Sequence, residues 1–97
     1  MNHRRHQRIN ASFLTEVYAR DRLFGRFVSR NVSAGGLFLE TGPAYLTHGD
    51  PINLNVLVFG EKYPMEGRVV HHTDGGVGIR VSHVDPQYYR ALTSMGR

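Results

Sequence analysis

The sequence predicts a mainly β domain, a small barrel or sandwich finished by one C-terminal helix. Three observations carry this reading. Six or so short stretches rich in β-branched and aromatic residues recur at intervals of roughly 8–15 residues. Clusters of Gly, Asn, Asp and Pro separate them. One helical periodicity closes the chain behind an Asp-Pro start. With 97 residues, the chain has room for one domain with its own core and nothing more.

The first strand is expected over residues 12–18, which are short on helix signals and rich in aromatic and β-branched types. A second follows over Gly25–Arg30, and Asn31-Val-Ser-Ala-Gly-Gly36 reads as a turn-forming cluster. Leu37–Glu40 is a short strand, and the segment from Thr41 to Pro51, with two Pro and two Gly, a loop. The clearest strand is Ile52–Val58, in which Ile52, Leu54, Val56 and Val58 alternate with Asn53, Asn55 and Leu57. Gly60–Lys62 makes a tight connection. Met65–His72 and Val77–Ser82 form a hairpin about Thr73-Asp-Gly-Gly76. For the helix, Asp85 serves as N-cap and Pro86 takes the first position, where its missing N–H costs nothing. Tyr88, Leu92 and Met95 then share one apolar face, and Gly96 is a stop.

Composition excludes several classes of function. Hydrophobic residues make up 40% and charged residues 21%, an ordinary globular balance. No apolar run reaches the roughly 18 residues of a membrane span, and the N-terminus MNHRRHQRIN has no apolar stretch of signal-peptide length behind its basic residues. A cytoplasmic protein without membrane partners is the expectation. The absence of cysteine removes disulfides, thiol nucleophiles and cysteine-based metal sites. The acids are scattered, without the spacing of a general acid/base pair. His3, His6, His48, His71, His72 and His83 follow no metal-binding spacing, and His71 and His72, adjacent in a strand, point to opposite faces. No G-x-S-x-G elbow frames a serine. The chain is therefore expected to be no enzyme and to hold no metal or cofactor.

The charge is lopsided. The net is +4, from eleven Arg and one Lys against eight acids. Residues 1–30 hold seven Arg against Glu16 and Asp21, a local net of +5, while residues 31–97 sum to −1. Arg rather than Lys suits planar, bidentate recognition of phosphate and guanine edges, so the Arg-rich third points to a local anion site.

Two constellations stand out. The first is Arg4-Arg5-His6-Gln7-Arg8, with Arg4 and Arg8 four apart; the second is Asn31-x-Ser33-x-x-Gly36 at a strand end. Together, in this order and on a β-rich chain of this size, they resemble the R-x-x-x-R and D/N-x-S-x-x-G motifs of the PilZ domain family, the bacterial receptors for cyclic di-GMP. The resemblance runs on through Gly49-Asp-Pro-Ile-Asn-Leu, Gly67-Arg-Val-Val-His71 and Gly76-Val-Gly-Ile-Arg-Val81, where Val81 stands in place of the family's frequent Phe. It implies an all-β fold, a six-stranded antiparallel β-barrel with a short C-terminal α-helix. It also implies a cyclic di-GMP site made of Arg4, Arg8, Asn31, Ser33 and Gly36, with Arg5, Gly35 and His71 as accessories.

The residue types suit such a ligand. A guanine offers O6 and N7 to a bidentate Arg. Asn31 and Ser33 offer hydrogen-bonding groups to a guanine's polar edge, and a turn at Gly36, expected at positive φ, lets a ring lie close. His71 is a candidate to stack on a base. Arg30, opposite in strand parity to Asn31, is expected to face away. Residues 1–9 read as a flexible basic arm and 10–97 as the barrel domain, so that ligand binding orders the arm over the Asn31–Gly36 turn and presents a new surface to an as yet unidentified protein partner. Two alternatives remain. One is a basic barrel that binds nucleic acid polymer, against which stands the lack of interleaved aromatic and basic residues. The other is an adaptor that binds protein only.

Overall fold

The computed structural model describes residues 12–33, 35–42 and 46–95. Six strands, β1 (Phe13–Ala19), β2 (Arg22–Ser33), β3 (Gly36–Glu40), β4 (Pro51–Val58), β5 (Glu61–Thr73) and β6 (Gly76–His83), precede one helix, α1 (Pro86–Met95). The strands close into a barrel in the order β1-β2-β3-β6-β5-β4, every pair antiparallel. Closure leaves no edge among the described strands free to pair with another chain.

Alternation sorts the side chains. Ile52, Leu54, Val56 and Val58 of β4 and Val77, Ile79 and Val81 of β6 point inward and are buried. Leu37 and Leu39 of β3 and Met65 and Val69 of β5 meet them in the lumen. Each such side chain contributes roughly 1.5–3 kcal/mol on burial. One polar pair sits among them. Thr15 and Ser29 are both fully buried, their hydroxyls 2.6 Å apart, and the Ser29 hydroxyl donates to the Phe13 carbonyl at 3.1 Å. The pair is self-satisfied, so its burial carries little penalty.

The helix starts where the sequence places it. The Asp85 carboxylate accepts from the Gln87 amide at 2.7 Å, the N-cap bond, and Pro86 takes the first position. Tyr88 and Leu92 are buried on the barrel, with the Tyr88 ring 5.6 Å from that of Tyr63. Burial pushes the Tyr88 phenol well above its ordinary pKa, and its hydroxyl has no hydrogen-bond partner among the described residues. Gly96 lies outside the described residues.

Two strands run further than their composition suggests, β2 at both ends and β5 at its start. β2 begins at Arg22, β5 begins at Glu61, and β2 continues through Asn31 to Ser33. The polar residues at these ends are held by backbone pairing into two-residue hairpins. Ala19 pairs with Arg22, and Val58 with Glu61. Both turns have positive φ at their two central residues, Arg20 at 55° and Asp21 at 63°, then Phe59 at 51° and Gly60 at 81°. Paired positive φ marks the type I′ turn, whose twist matches that of the strands it joins.

Candidate functional site

The Asn31–Gly36 segment is built around an irregularity. β2 and β3 keep register from Val28↔Glu40 to Arg30↔Phe38, then slip, and resume at Ser33↔Gly36. Asn31 absorbs the slip with φ at 53°, a left-handed conformation that Asn tolerates better than most residues. The Ser33 hydroxyl accepts from the Gly35 amide at 3.2 Å and lies 3.4 Å from the Gly36 carbonyl oxygen. The Gly35 carbonyl accepts from the Val81 amide at 3.0 Å, tying the turn to β6.

Gly36 differs from the expectation. It is not among the positive-φ residues; among the described residues of this segment that conformation belongs to Asn31. Glycine is required at 36 because β6 passes so close that an added Cβ would lie well inside van der Waals contact distance of the Ile79 carbonyl oxygen.

The register slip also changes the faces. Leu37 and Leu39 are inside, so Gly36 and Phe38 are outside, and their partners Ser33 and Arg30 are outside with them. Strand parity alone puts Arg30 on the wrong side; the extra residue returns it to the wall that carries Ser33. Its guanidinium lies 4.8 Å from the centroid of the Phe38 ring and 3.1 Å from a Glu40 carboxylate oxygen.

Two rows of residues cross this wall. One runs Ser33, Gly36, Arg80, Arg68 over β2, β3, β6 and β5. The next runs Arg30, Phe38, Gly78, His71 over the same strands. Neighbours in such a row stand about 4.5–5.5 Å apart. His71 arrives in its row through a second irregularity in pairing, between Val69 and His71. An added Cβ on Gly78 would stand 3.1 Å from the His71 Cβ, so the bare glycine leaves a shallow floor between Phe38 and His71. Arg68 and Arg80 face each other directly, an unfavourable pairing for two cations. Arg68 turns one nitrogen to the Gly49 carbonyl at 2.9 Å.

Asn31, Ser33, Gly35, Gly36 and His71 thus fall on or beside one wall of the barrel. Arg4, Arg5 and Arg8 lie outside the described residues. Sequence reasoning passed over Phe38, Arg68 and Arg80 and discounted Arg30. The outward parity of Phe38 and Arg80 was available from the alternation of their strands, but which strands are neighbours was not. The wall offers stacking surfaces, cations and hydrogen-bonding groups, the mixture suited to a planar anion. Among the described residues, no cluster of three or more His, Cys, Asp or Glu could hold a metal ion, and no helix is long and apolar enough to cross a membrane.

The comparisons with known proteins agree with this architecture. The PilZ domain matches residues 2–95, and the chain belongs to that family. The crystal structure of the PilZ domain of CeSA from a cellulose synthesizing bacterium superposes with a TM-score of 0.70 at 21% identity, over 90% of this chain and 91% of that one. The Bacillus subtilis inhibitor of motility, MotI/DgrA, superposes with a TM-score of 0.72 at 17% identity. That match takes in 97% of this chain but 49% of the other, so the present chain spans about half its length. At these identities the likeness is one of fold. No curated protein matches the chain in sequence.

Proposed function

We propose that this PilZ domain is a cyclic di-GMP receptor that signals to a protein partner and performs no chemistry of its own. The observation that carries the reading is the wall on which the Asn31-x-Ser33-x-x-Gly36 motif stands beside the facing cations Arg68 and Arg80. A phosphate set against that pair relieves their repulsion, because an opposite charge is what two neighbouring guanidiniums lack. A guanine plane fits the floor between Phe38 and His71, or lies on the Arg30 guanidinium. Asn31 and Ser33 reach the polar edge of the base.

Arg4 and Arg8 act from the N-terminal arm. The chain enters the barrel at Phe13, which pairs with Ser29 of β2, two residues before Asn31. Arg8 is five residues from Phe13, and five residues span at most about 17 Å, enough to reach across the motif. Residues 1–9 close over the bound dinucleotide and so make a surface that depends on the ligand, while residues 10–97 supply the rigid barrel. The site works in a cytoplasmic setting, where the second messenger is made, and needs no cofactor.

The test is calorimetric titration of the full chain with cyclic di-GMP, alongside GMP and a short single-stranded oligonucleotide. Saturable binding of the cyclic dinucleotide, with weak binding of the other two, supports the proposal. Tight binding of the oligonucleotide alone would replace it with a nucleic-acid barrel. Binding of none would leave a protein-only adaptor.

A further inference from the structure

We infer that the opposite wall of the barrel, formed by β2, β1 and β4, is a docking surface for a protein partner that presents an apolar patch rimmed by carboxylates, with Phe59 as its anchor. Phe59 sits at the tip of the β4–β5 hairpin and is 82% exposed. It occupies the first central position of the turn with φ at 51°. Left-handed φ is disfavoured for a bulky side chain, and type I′ turns favour Asn before Gly at this place. A large aromatic here gains nothing from the core and costs the turn its preferred residue. Such strain at an exposed position points to a use outside the fold.

Phe59 is not isolated. Leu14 of β1 is 47% exposed and lies directly across from Val28 of β2, itself 39% exposed. The β1–β4 register, Thr15↔Val56, brings Leu14 level with Leu57 one step further on, two residues from Phe59. An apolar band therefore runs Val28, Leu14, Leu57 around the outside of three strands and ends at the Phe59 ring. An exposed band of this kind, set among charges, marks an interaction surface.

The charges around the band choose the partner. The Glu16 carboxylate, only 8% exposed, is bound by Lys62 Nζ at 3.2 Å and Arg26 Nε at 3.3 Å, and Asn55 also donates to it. The two cations are more than half exposed, so one sunken carboxylate is shared by two surface cations; Glu40, which pairs with Val28, is matched by Arg30 at 3.1 Å, and these charges leave the face net positive. Glu61 does not cancel this: it pairs with inward-facing Val58 and so takes the parity opposite to Lys62. A second copy of the chain would set like charges against each other. A lipid surface is flat and would meet the Phe59 tip while leaving the half-sunken Leu14 and Val28 unused. A protein surface shaped to the wall, acidic at its rim, uses all of them. The inference does not depend on cyclic di-GMP binding, although Val28 stands two residues before Arg30 on the same strand.

The test uses the full chain as target for a displayed random-peptide library, with depletion on the Phe59→Asn protein. The expected binders combine apolar residues with Asp or Glu, and their synthetic versions bind at least tenfold more weakly to Phe59→Asn, to Leu14→Thr and to the Arg26→Glu/Lys62→Glu double variant. Phe59→Asn should melt at or above the wild-type temperature, which separates lost docking from lost folding. Four results would overturn the inference: no Phe59-dependent binder, binders without acidic character, a lower melting temperature for Phe59→Asn, or Phe59-dependent behaviour of another kind. The last is read from sedimentation with phosphatidylglycerol-containing vesicles and from the protein's own association state in light scattering.

Discussion

Asn31 carries two loads that one pair of substitutions separates. Its backbone lies at φ 53°, where an L-residue with a Cβ is strained, while the proposed site assigns its side chain to the ligand. Asn31→Ala keeps the Cβ and removes the amide; Asn31→Gly removes both. For Ala the left-handed conformation costs about 1–2 kcal/mol, whereas for Gly it is free and the opposing cost is the backbone entropy of about 0.5–1 kcal/mol. The two variants should therefore differ by about 1 kcal/mol, and in a domain of this size each kcal/mol moves the melting temperature by about 4–8 °C. Asn31→Gly should melt close to wild type and Asn31→Ala several degrees below it.

In cyclic di-GMP binding the order changes. Both variants lose the same amide, and a neutral hydrogen bond of about 0.5–1.5 kcal/mol corresponds to roughly a two- to tenfold loss of affinity in each. Scanning calorimetry of the free proteins and isothermal titration with the ligand read the two effects independently. Equal melting temperatures would refute the backbone argument. A wild-type affinity for Asn31→Gly would remove Asn31 from the site.

Four further outcomes are expected. Arg4→Ala and Arg8→Ala should each weaken cyclic di-GMP binding about tenfold or more by titration, through loss of a charge-assisted bond of about 1.5–3 kcal/mol, while the melting temperature of the free protein stays put. Gly36→Val should lower the melting temperature strongly and abolish binding, since its side chain meets the Ile79 carbonyl of β6; a Gly36→Val protein that melts like wild type would show that β6 can give way. Arg80→Gln should raise the melting temperature of the free protein slightly, by relieving the Arg68–Arg80 repulsion, and weaken binding. Lys62 above all, with Asn55 and Arg26, holds the Glu16 carboxyl below its ordinary value of 4.5 against the opposing effect of burial. Its contribution to stability is complete above that value and is lost as pH falls through the lower folded-state one, so pH titration of thermal stability should show an acid loss that Glu16→Gln reduces.

The fold was legible because barrel strands alternate. Ile52, Leu54, Val56 and Val58 could be read as inward from sequence and are buried, and the Asp85-Pro86 start gave the helix to the residue. The site was less legible for two reasons. Strand neighbours that are distant in sequence, such as β3 and β6, cannot be paired by local pattern, and it is that pairing which sets Arg80 beside Gly36. Parity also fails wherever register slips. The slip at Asn31 turned Arg30 onto the wall with Ser33, although counting residues had turned it away. Gly36 was expected at left-handed φ, whereas close approach by β6 is what excludes a Cβ there; both demands leave the same letter in the sequence.

The register slip also bears on how one wall of the barrel could inform the other. β2 is the strand common to both: Val28 ends the apolar band, Arg30 begins the wall proposed for the ligand, and Asn31 at φ 53° follows at once. Ser29, between Val28 and Arg30, is pinned inside the barrel by Thr15 and the Phe13 carbonyl. That anchor makes a rigid displacement of the whole strand costly, since it would break a buried polar pair. Communication between the walls is better served by the N-terminal residues proposed to bind the ligand. The chain entering at Phe13 passes between Leu14 on one side and, through the Phe13–Ser29 pairing, the approach to Asn31 on the other. On the proposal that Arg4 and Arg8 bind the dinucleotide, the arm would join the barrel at Phe13, next to Leu14 of the proposed docking band. Ligand binding would then change what a partner meets there while the β-barrel itself stays as it is. Amide hydrogen exchange should accordingly show residues 3–9 gaining protection with cyclic di-GMP, Ile52–Val58 protected in both states, and Val28–Ser33 altered little. Loss of protection at Ser29 on ligand binding would instead mean that the strand itself moves.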